Sequence, residues 1–153
     1  MALEKAKEYL EKNNLGDRVI ILDKDTSTVS LAAQALGIDD DMIAKTLSFY
    51  IDNKPILIVL SGNSRIDNKK YKEYFNTKAK MIEFENVEKE IGHSVGGVCP
   101  FGVNDGVDIY LDKSLKKYEY VYPACGSSNS AVKIKVSELE SIIPYKDYID
   151  IAK

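Results

Sequence analysis

Metal and disulfide chemistry have little to work with in this chain. It holds one histidine, His93, and two cysteines, Cys99 and Cys125. A structural or catalytic zinc site draws on several Cys and His ligands, so the supply excludes one. Two cysteines also fall short of a disulfide framework and suit reduced thiols. No apolar run approaches the ~20 residues of a membrane span. The opening MALEKAKEYLEKNN is charged and helix-periodic, without the apolar core of a secretory leader. A cytoplasmic protein without membrane contact is therefore expected. No glycine pattern of the dinucleotide-binding or P-loop type opens a helix. Neither a metal nor a cofactor is expected.

What remains is ordinary globular material. The 153 residues are 44% hydrophobic and 29% charged, and no repeat or low-complexity segment interrupts them. That length suits a single domain over 1–153. The net charge of −3 speaks against holding nucleic acid by electrostatics alone. Two lysine clusters stand out: Lys69, Lys70, Lys72, Lys78 and Lys80, then Lys113, Lys116 and Lys117. Such clusters usually mark a solvated surface.

The periodicity predicts helices over 3–13, 25–37, 66–75 and 86–92, and a last short one opened by a Ser137/Glu140 capping box. In the second helix Val29, Ala32, Ala33 and Leu36 share one stripe, Thr26 or Ser27 can cap it, and Gly37 ends it. In the third, Tyr71, Tyr74 and Phe75 are placed inward. Strands are predicted at 18–22, 78–84, 106–112, 118–124 and 130–136. Residues 44–62 give the strongest strand signal: two apolar runs flank Asp52-Asn53-Lys54, as in a β-hairpin. The second run, PILIVL, is apolar throughout and reads as a central strand. Strands follow one another directly, without a regular βαβ alternation. The expected class is α+β, with a mixed, barrel-like sheet of six or seven strands surrounded by short helices.

Chemistry concentrates in GHSVGGVCPFG, residues 92–102. This stretch holds four of the nine glycines, His93, Cys99 and Pro100. Glycine lets backbone approach a ligand closely, and Pro100 holds Cys99 extended. The N–H groups of Gly97, Val98 and Cys99 could then converge on an oxyanion or a carboxylate-like group. The same stretch could instead be a surface turn. A Cys99/His93 nucleophile pair is a third possibility, though no carboxylate is placed to orient the ring. Lys45, in the apolar run AKTLSF, either snorkels to water from an edge or reaches a mouth where an anion sits.

Five pieces in register carry a resemblance: TVSLAAQALG, IAKTLSF, ILIVLSGNSRIDNKKYKEYF, IGHSVGGVCPFG and ACGSSNSAVKIKVSEL. Together, over about 20–143, they resemble the YbaK / prolyl-tRNA synthetase-associated domain family of aminoacyl-tRNA editing proteins. The resemblance implies a compact α+β fold. It implies hydrolysis of the ester that joins a wrong amino acid to the 3′ end of a tRNA, with prolyl-tRNA synthetase as a possible partner. It places Lys45 as the family's strand lysine, with Thr46 beside it. Gly96 to Pro100 match the family's G-x-x-x-P loop, with Gly97 and Val98 as backbone oxyanion donors and Cys99 within it. Gly126, Ser127 and Ser128 match a late loop that lines the amino-acid pocket. That loop lacks the arginine of many relatives, which leaves the amino acid open among Cys and other small residues. The family mechanism needs no thiol, and Cys99 falls at a position often occupied by serine. Because no synthetase domain accompanies it, the chain is expected to act in trans. A non-catalytic binder of an aminoacyl-adenosine end is the alternative, and a Cys99/His93 thiol hydrolase the other.

Overall fold

The hairpin at 44–61 anchors the architecture. The computed structural model describes residues 2–153. Strand β2 (Ala44–Ile51) pairs antiparallel with β3 (Lys54–Ser61), in register from Ala44↔Ser61 to Ile51↔Lys54. Asp52 and Asn53 both take positive φ, 50° and 66°, as a two-residue primed turn demands. From Ile56 to Ser61 every residue of β3 is buried, because both faces of the strand are covered. A strand β4 (Asp108–Asp112) joins β3 in parallel, and the short β8 (Tyr148–Ile149) joins β4 in parallel. The order β2-β3-β4-β8 makes a mixed sheet.

Two antiparallel ribbons complete the β-structure. One pairs β1 (Val19–Ile21) with β6 (Ser130–Val132); the other pairs β5 (Tyr120–Val121) with β7 (Ile134–Lys135). Single bridges at Ile43↔Tyr122 and Ala124↔Ala131 stitch these ribbons to the hairpin and to each other. The compact α+β class and mixed pairing agree with the sequence. The strands, however, fall into three sheets rather than one continuous six- or seven-stranded sheet.

Two predicted strands shrink for a visible reason. In 118–124 the chain leaves the ladder after Val121. Tyr122 turns to β2, its N–H donating to the Met42 carbonyl and its own carbonyl accepting from Ala44. In 78–84 only the bridge Phe49↔Met81 survives, flanked by bonds from Tyr50 N–H to Lys80 and from Ile82 N–H to Ser48.

Helix α1 (Ala2–Lys12) buries Ala6 and Leu10. Helix α2 (Val29–Leu36) is capped by Thr28, whose Oγ1 accepts from Leu31 N–H, and not by Thr26 or Ser27; Gly37 ends it at φ 69°. Helix α3 (Asn68–Phe75) is capped by Asp67. Tyr71 is fully buried, whereas Tyr74 is 41% exposed and donates its hydroxyl hydrogen to Asp147. Helix α4 (Phe84–Ile91) ends at Gly92. Helix α5 (Val136–Ile142) starts two residues before the predicted box. Glu138, not Glu140, accepts the backbone N–H of Lys135 and also takes both guanidinium nitrogens of Arg18, at 2.7 and 2.9 Å. Among the described residues no helix is long and apolar enough to cross a membrane.

The largest apolar cluster gathers Leu57 and Val59 of β3, Ile109 and Leu111 of β4, and Cys99, Phe101 and Cys125 from the loops. Loop residues that carry the site thus share the core with the central strands. Leu57 is completely buried. Leu57→Ala should lower unfolding free energy by roughly 3 kcal/mol in urea titration, with little change in the slope.

Candidate active site

A cleft of about 500 Å³ opens between the start of α2, strand β2, the start of α4 and the two loops at 95–98 and 122–131. That volume is in the range of small-ligand sites. Lys45 and Thr46 of β2 line it, as do Gly96 and Val98 of the glycine-rich loop. Cys99, Pro100 and Gly97 are buried behind this wall. Gly126, Ser127 and Ser128 do not line the cleft; their neighbours Ala124, Ser130 and Ala131 do. The late loop therefore meets the cleft one step away from the residues the sequence singled out.

Gly126 and Ser128 brace the walls instead. The Gly126 N–H donates to the Gly97 carbonyl at 2.9 Å, and the Ser128 carbonyl accepts from Thr26 N–H at 2.6 Å. The two glycines have no room for side chains. A Cβ on Gly97 would lie 2.4 Å from the Ser127 nitrogen, and one on Gly126 would lie 2.5 Å from the Ala2 carbonyl oxygen. Gly126 also takes φ 83°.

The convergent amide array expected at Gly97, Val98 and Cys99 is narrower in the structure. Gly97 N–H closes a turn onto the Ser94 carbonyl at 3.0 Å and is engaged there. Among the described residues the Val98 N–H has no hydrogen-bond acceptor. The Cys99 N–H has none either; Val98 lines the cleft, and Gly97 packs tightly on the late loop behind it.

Lys45 reaches inward and not to open water. Its Nζ donates to the Gly62 carbonyl at 3.1 Å and to the Ser64 carbonyl at 2.5 Å. An ammonium has three donors, so two carbonyls fix its direction and leave one N–H. Burial lowers its pKa and the nearby Arg65 charge adds to that, with Asp41 opposing. The acceptor turn was not recognised in the sequence as part of the site. Gly62 packs so tightly on residue 40 that a Cβ would come 1.9 Å from the Asp40 carbonyl oxygen. Asp41 accepts the Asn63 N–H at 3.2 Å and Lys117 at 3.3 Å. The glycine directly after an apolar strand, in VLSGNS, was the available signal.

The thiol and the imidazole are close in space and both are buried. Cys99 Sγ lies 4.0 and 3.9 Å from the two ring nitrogens of His93. Equal reach to both nitrogens puts the sulfur off the axis of either. Both side chains are fully buried. Burial pushes the Cys99 thiol far above its ordinary range. Burial also lowers His93 to about 4, against an opposing hydrogen bond with the Phe101 backbone. At neutral pH both groups are uncharged, the opposite of a thiolate–imidazolium pair. Cys125, raised to about 11 by burial, is no better a nucleophile. Among the described residues no cluster of three or more His, Cys, Asp or Glu side chains could hold a metal ion.

The family model described as aminoacyl-tRNA editing domain matches residues 23–142, and the chain belongs to that family. It is 39% identical to the uncharacterized protein YwhH of Bacillus subtilis (strain 168), over all of this chain and 98% of that one. It is 32% identical to the proline--tRNA ligase of Shouchella clausii (strain KSM-K16), over 80% of this chain but only 22% of the ligase. A crystal structure of a protein proposed as a trans-editing enzyme for prolyl tRNA synthetase superposes with a TM-score of 0.88. That match has 27% identity and covers 99% of this chain and 97% of the other.

His93 gives a direct check. Its ring resonances should titrate near pH 4 by NMR, not near 6.5. Because the folded state holds His93 neutral, its contribution to stability is complete above pH 6.5 and is lost as pH falls through about 4. The gap is worth about 3 kcal/mol, and His93→Gln should flatten that part of the stability–pH curve in chemical denaturation.

Proposed function

We propose that this chain is a trans-acting aminoacyl-tRNA deacylase. Its substrate is the ester at the 3′ end of a mischarged tRNA, with tRNA(Pro) carrying Cys or another small amino acid as the first candidate. The observation that carries the proposal is the cleft's composition. The cleft is lined by Lys45, by Gly96 and Val98 of the glycine-rich loop, by apolar side chains and by several Ser and Thr hydroxyl residues, with no carboxylate, imidazole or thiol. Such a site suits an already activated ester, for which water or a group of the substrate itself is nucleophile enough.

The roles follow from position. The remaining N–H of Lys45 binds the terminal phosphate or ribose and fixes the ester, which contributes orientation. The Val98 N–H faces the carbonyl oxygen and stabilises the tetrahedral oxyanion; a donor of this kind is typically worth about 3 kcal/mol. Gly96, with φ 92° and Ser27 tightly against it, shapes the loop around that amide. Ala32, Ile43, Ala124 and Ala131 offer an apolar wall for a small side chain. Family membership supports the substrate class. The likeness to a short segment of proline--tRNA ligases supports tRNA(Pro) and a prolyl-tRNA synthetase as partners.

The test is a deacylation panel. tRNA(Pro) charged in turn with Cys, Ala, Ser, Thr and Pro is incubated with the protein, with and without prolyl-tRNA synthetase, and the freed amino acid is measured. Lys45→Ala should slow release by about a hundredfold or more, while Cys99→Ser keeps most of it. Undiminished release by Lys45→Ala would overturn the assigned role. Binding of mischarged tRNA with no release above the spontaneous rate would make the protein a binder. Loss of activity on iodoacetamide treatment of the folded protein would return the reaction to Cys99.

A further inference from the structure

The lining of the cleft changes character between its buried part and its mouth. Of the small apolar groups assigned above to the substrate side chain, Ala32, Ile43 and Ala131 are buried. Three other lining residues are large, apolar and open to solvent: Val95 is 42% exposed, Met81 55% and Phe84 74%. Among the described residues six large hydrophobic side chains are exposed, and these are three of them. Single exposed apolar residues are ordinary, but three gathered on one cleft mark a place where something binds.

Phe84 is the most exposed of the six. On α4 it falls at i with Val87 at i+3 and Ile91 at i+7, one apolar stripe. Val87 and Ile91 are buried in the core, and the stripe leaves the core at Phe84. No other aromatic ring packs on it among the described residues. Met81 is tied to β2 by its bridge to Phe49 and by the bond from Ile82 N–H to the Ser48 carbonyl. Ser48 stands three residues along the same strand from Lys45, about 10 Å at the usual rise. The apolar mouth and the ammonium are thus referred to one rigid hairpin.

A flat, exposed ring at a cleft suits a flat partner. Glu83 and Glu85 flank Phe84 in sequence and are exposed, which disfavours a phosphate at that spot but not a neutral planar group. Resting on the deacylase function proposed above, we infer that Phe84 is a positioning residue whose ring stacks on the nucleobase of the substrate's 3′-terminal nucleoside. The acyl group then lies against the buried small residues and the base lies at the mouth. The ribose spans the two, where Lys45 was assigned to it. Aromatic stacking captures unpaired bases at the ends of a nucleic acid and needs no hydrogen-bond readout. Met81 and Val95 extend the apolar surface around the base.

The chain holds no tryptophan, so Phe84→Trp introduces a single indole emitter that can itself stack. Its emission is followed on titration with a short uncharged RNA ending in CCA, and with the same RNA made abasic at its 3′-terminal nucleotide. The intact RNA should quench the indole saturably, and the abasic one should bind about tenfold more weakly. Equal quenching by both, or none by either, overturns the inference. In the deacylation assay Phe84→Ala should raise KM for mischarged tRNA about tenfold with kcat and melting temperature little changed. Phe84→Tyr should restore KM, and Phe84→Leu, apolar without a ring, should not. Full restoration by Phe84→Leu overturns stacking, and a fall in kcat with a lowered melting temperature makes Phe84 a structural residue. If wild type releases the amino acid and Phe84→Ala leaves KM unchanged, the inference falls alone. If no mischarged tRNA is hydrolysed while quenching still depends on the terminal base, the deacylase function falls and the stacking stands.

Discussion

The Gly97–Gly126 backbone contact is the constraint on which the site depends. Two loops far apart in sequence meet there through one N–H···O=C bond of 2.9 Å, at a separation only bare backbone permits. On one side of the contact Gly97 turns back on Ser94, and the next residue, Val98, lines the cleft. On the other side the late loop continues to Ser128, whose carbonyl holds Thr26. Three segments are thereby locked into one wall. A methyl group at Gly97 would strike the backbone of Gly126 and Ser127, and one at Gly126 the backbone of Ala2 at the start of α1, and neither neighbour can swing aside as a side chain would.

Lys45 is positioned by the same economy of means. It lies on the most regular element of the fold, a hairpin fixed by a primed turn and by a β3 buried on both faces. Its ammonium is oriented by two carbonyls of the turn that follows β3, and that turn is held by Gly62 against residue 40. Backbone carbonyls orient a cation without neutralising it. A carboxylate in their place would form an ion pair and weaken the hold on a phosphate or ribose that we propose for it. The pKa of Lys45 is lowered mainly by its burial and then by the nearby Arg65 charge.

The hairpin, the central character of β3 and the glycine-rich loop were legible in the sequence because each depends on local chemistry. A two-residue Asp-Asn turn, an unbroken apolar run and clustered glycines keep their meaning without tertiary context. The misread features all needed a decision between near-equivalent neighbours. Thr26, Ser27 and Thr28 are three consecutive capping residues, and only the position of α2 in the fold selects Thr28. Ser137 and Glu140 have the spacing of a capping box, but Arg18, 120 residues away from Glu138, settles the pairing there. The loop at 126–128 matched a family motif, yet a motif match does not say whether residues line a cavity or brace it. For Cys99 and His93 proximity could be read from their spacing, but burial, which decides their protonation, needed the fold.

Thr26 shows the limit of reading chemistry from residue type. In the sequence it is one more hydroxyl in a helix-capping cluster. Only when Thr28 has taken the cap, Ser27 has turned to Asp25 and Ser128 has claimed the Thr26 amide does its own hydroxyl stand alone. That oxygen is closed off from the cleft as well, so it makes no polar demand on a substrate. An apolar wall distinguishes side chains by size, where one methylene is worth only about 1–3 kcal/mol. Catalysis on an activated ester asks for little beyond a fixed ammonium and an amide.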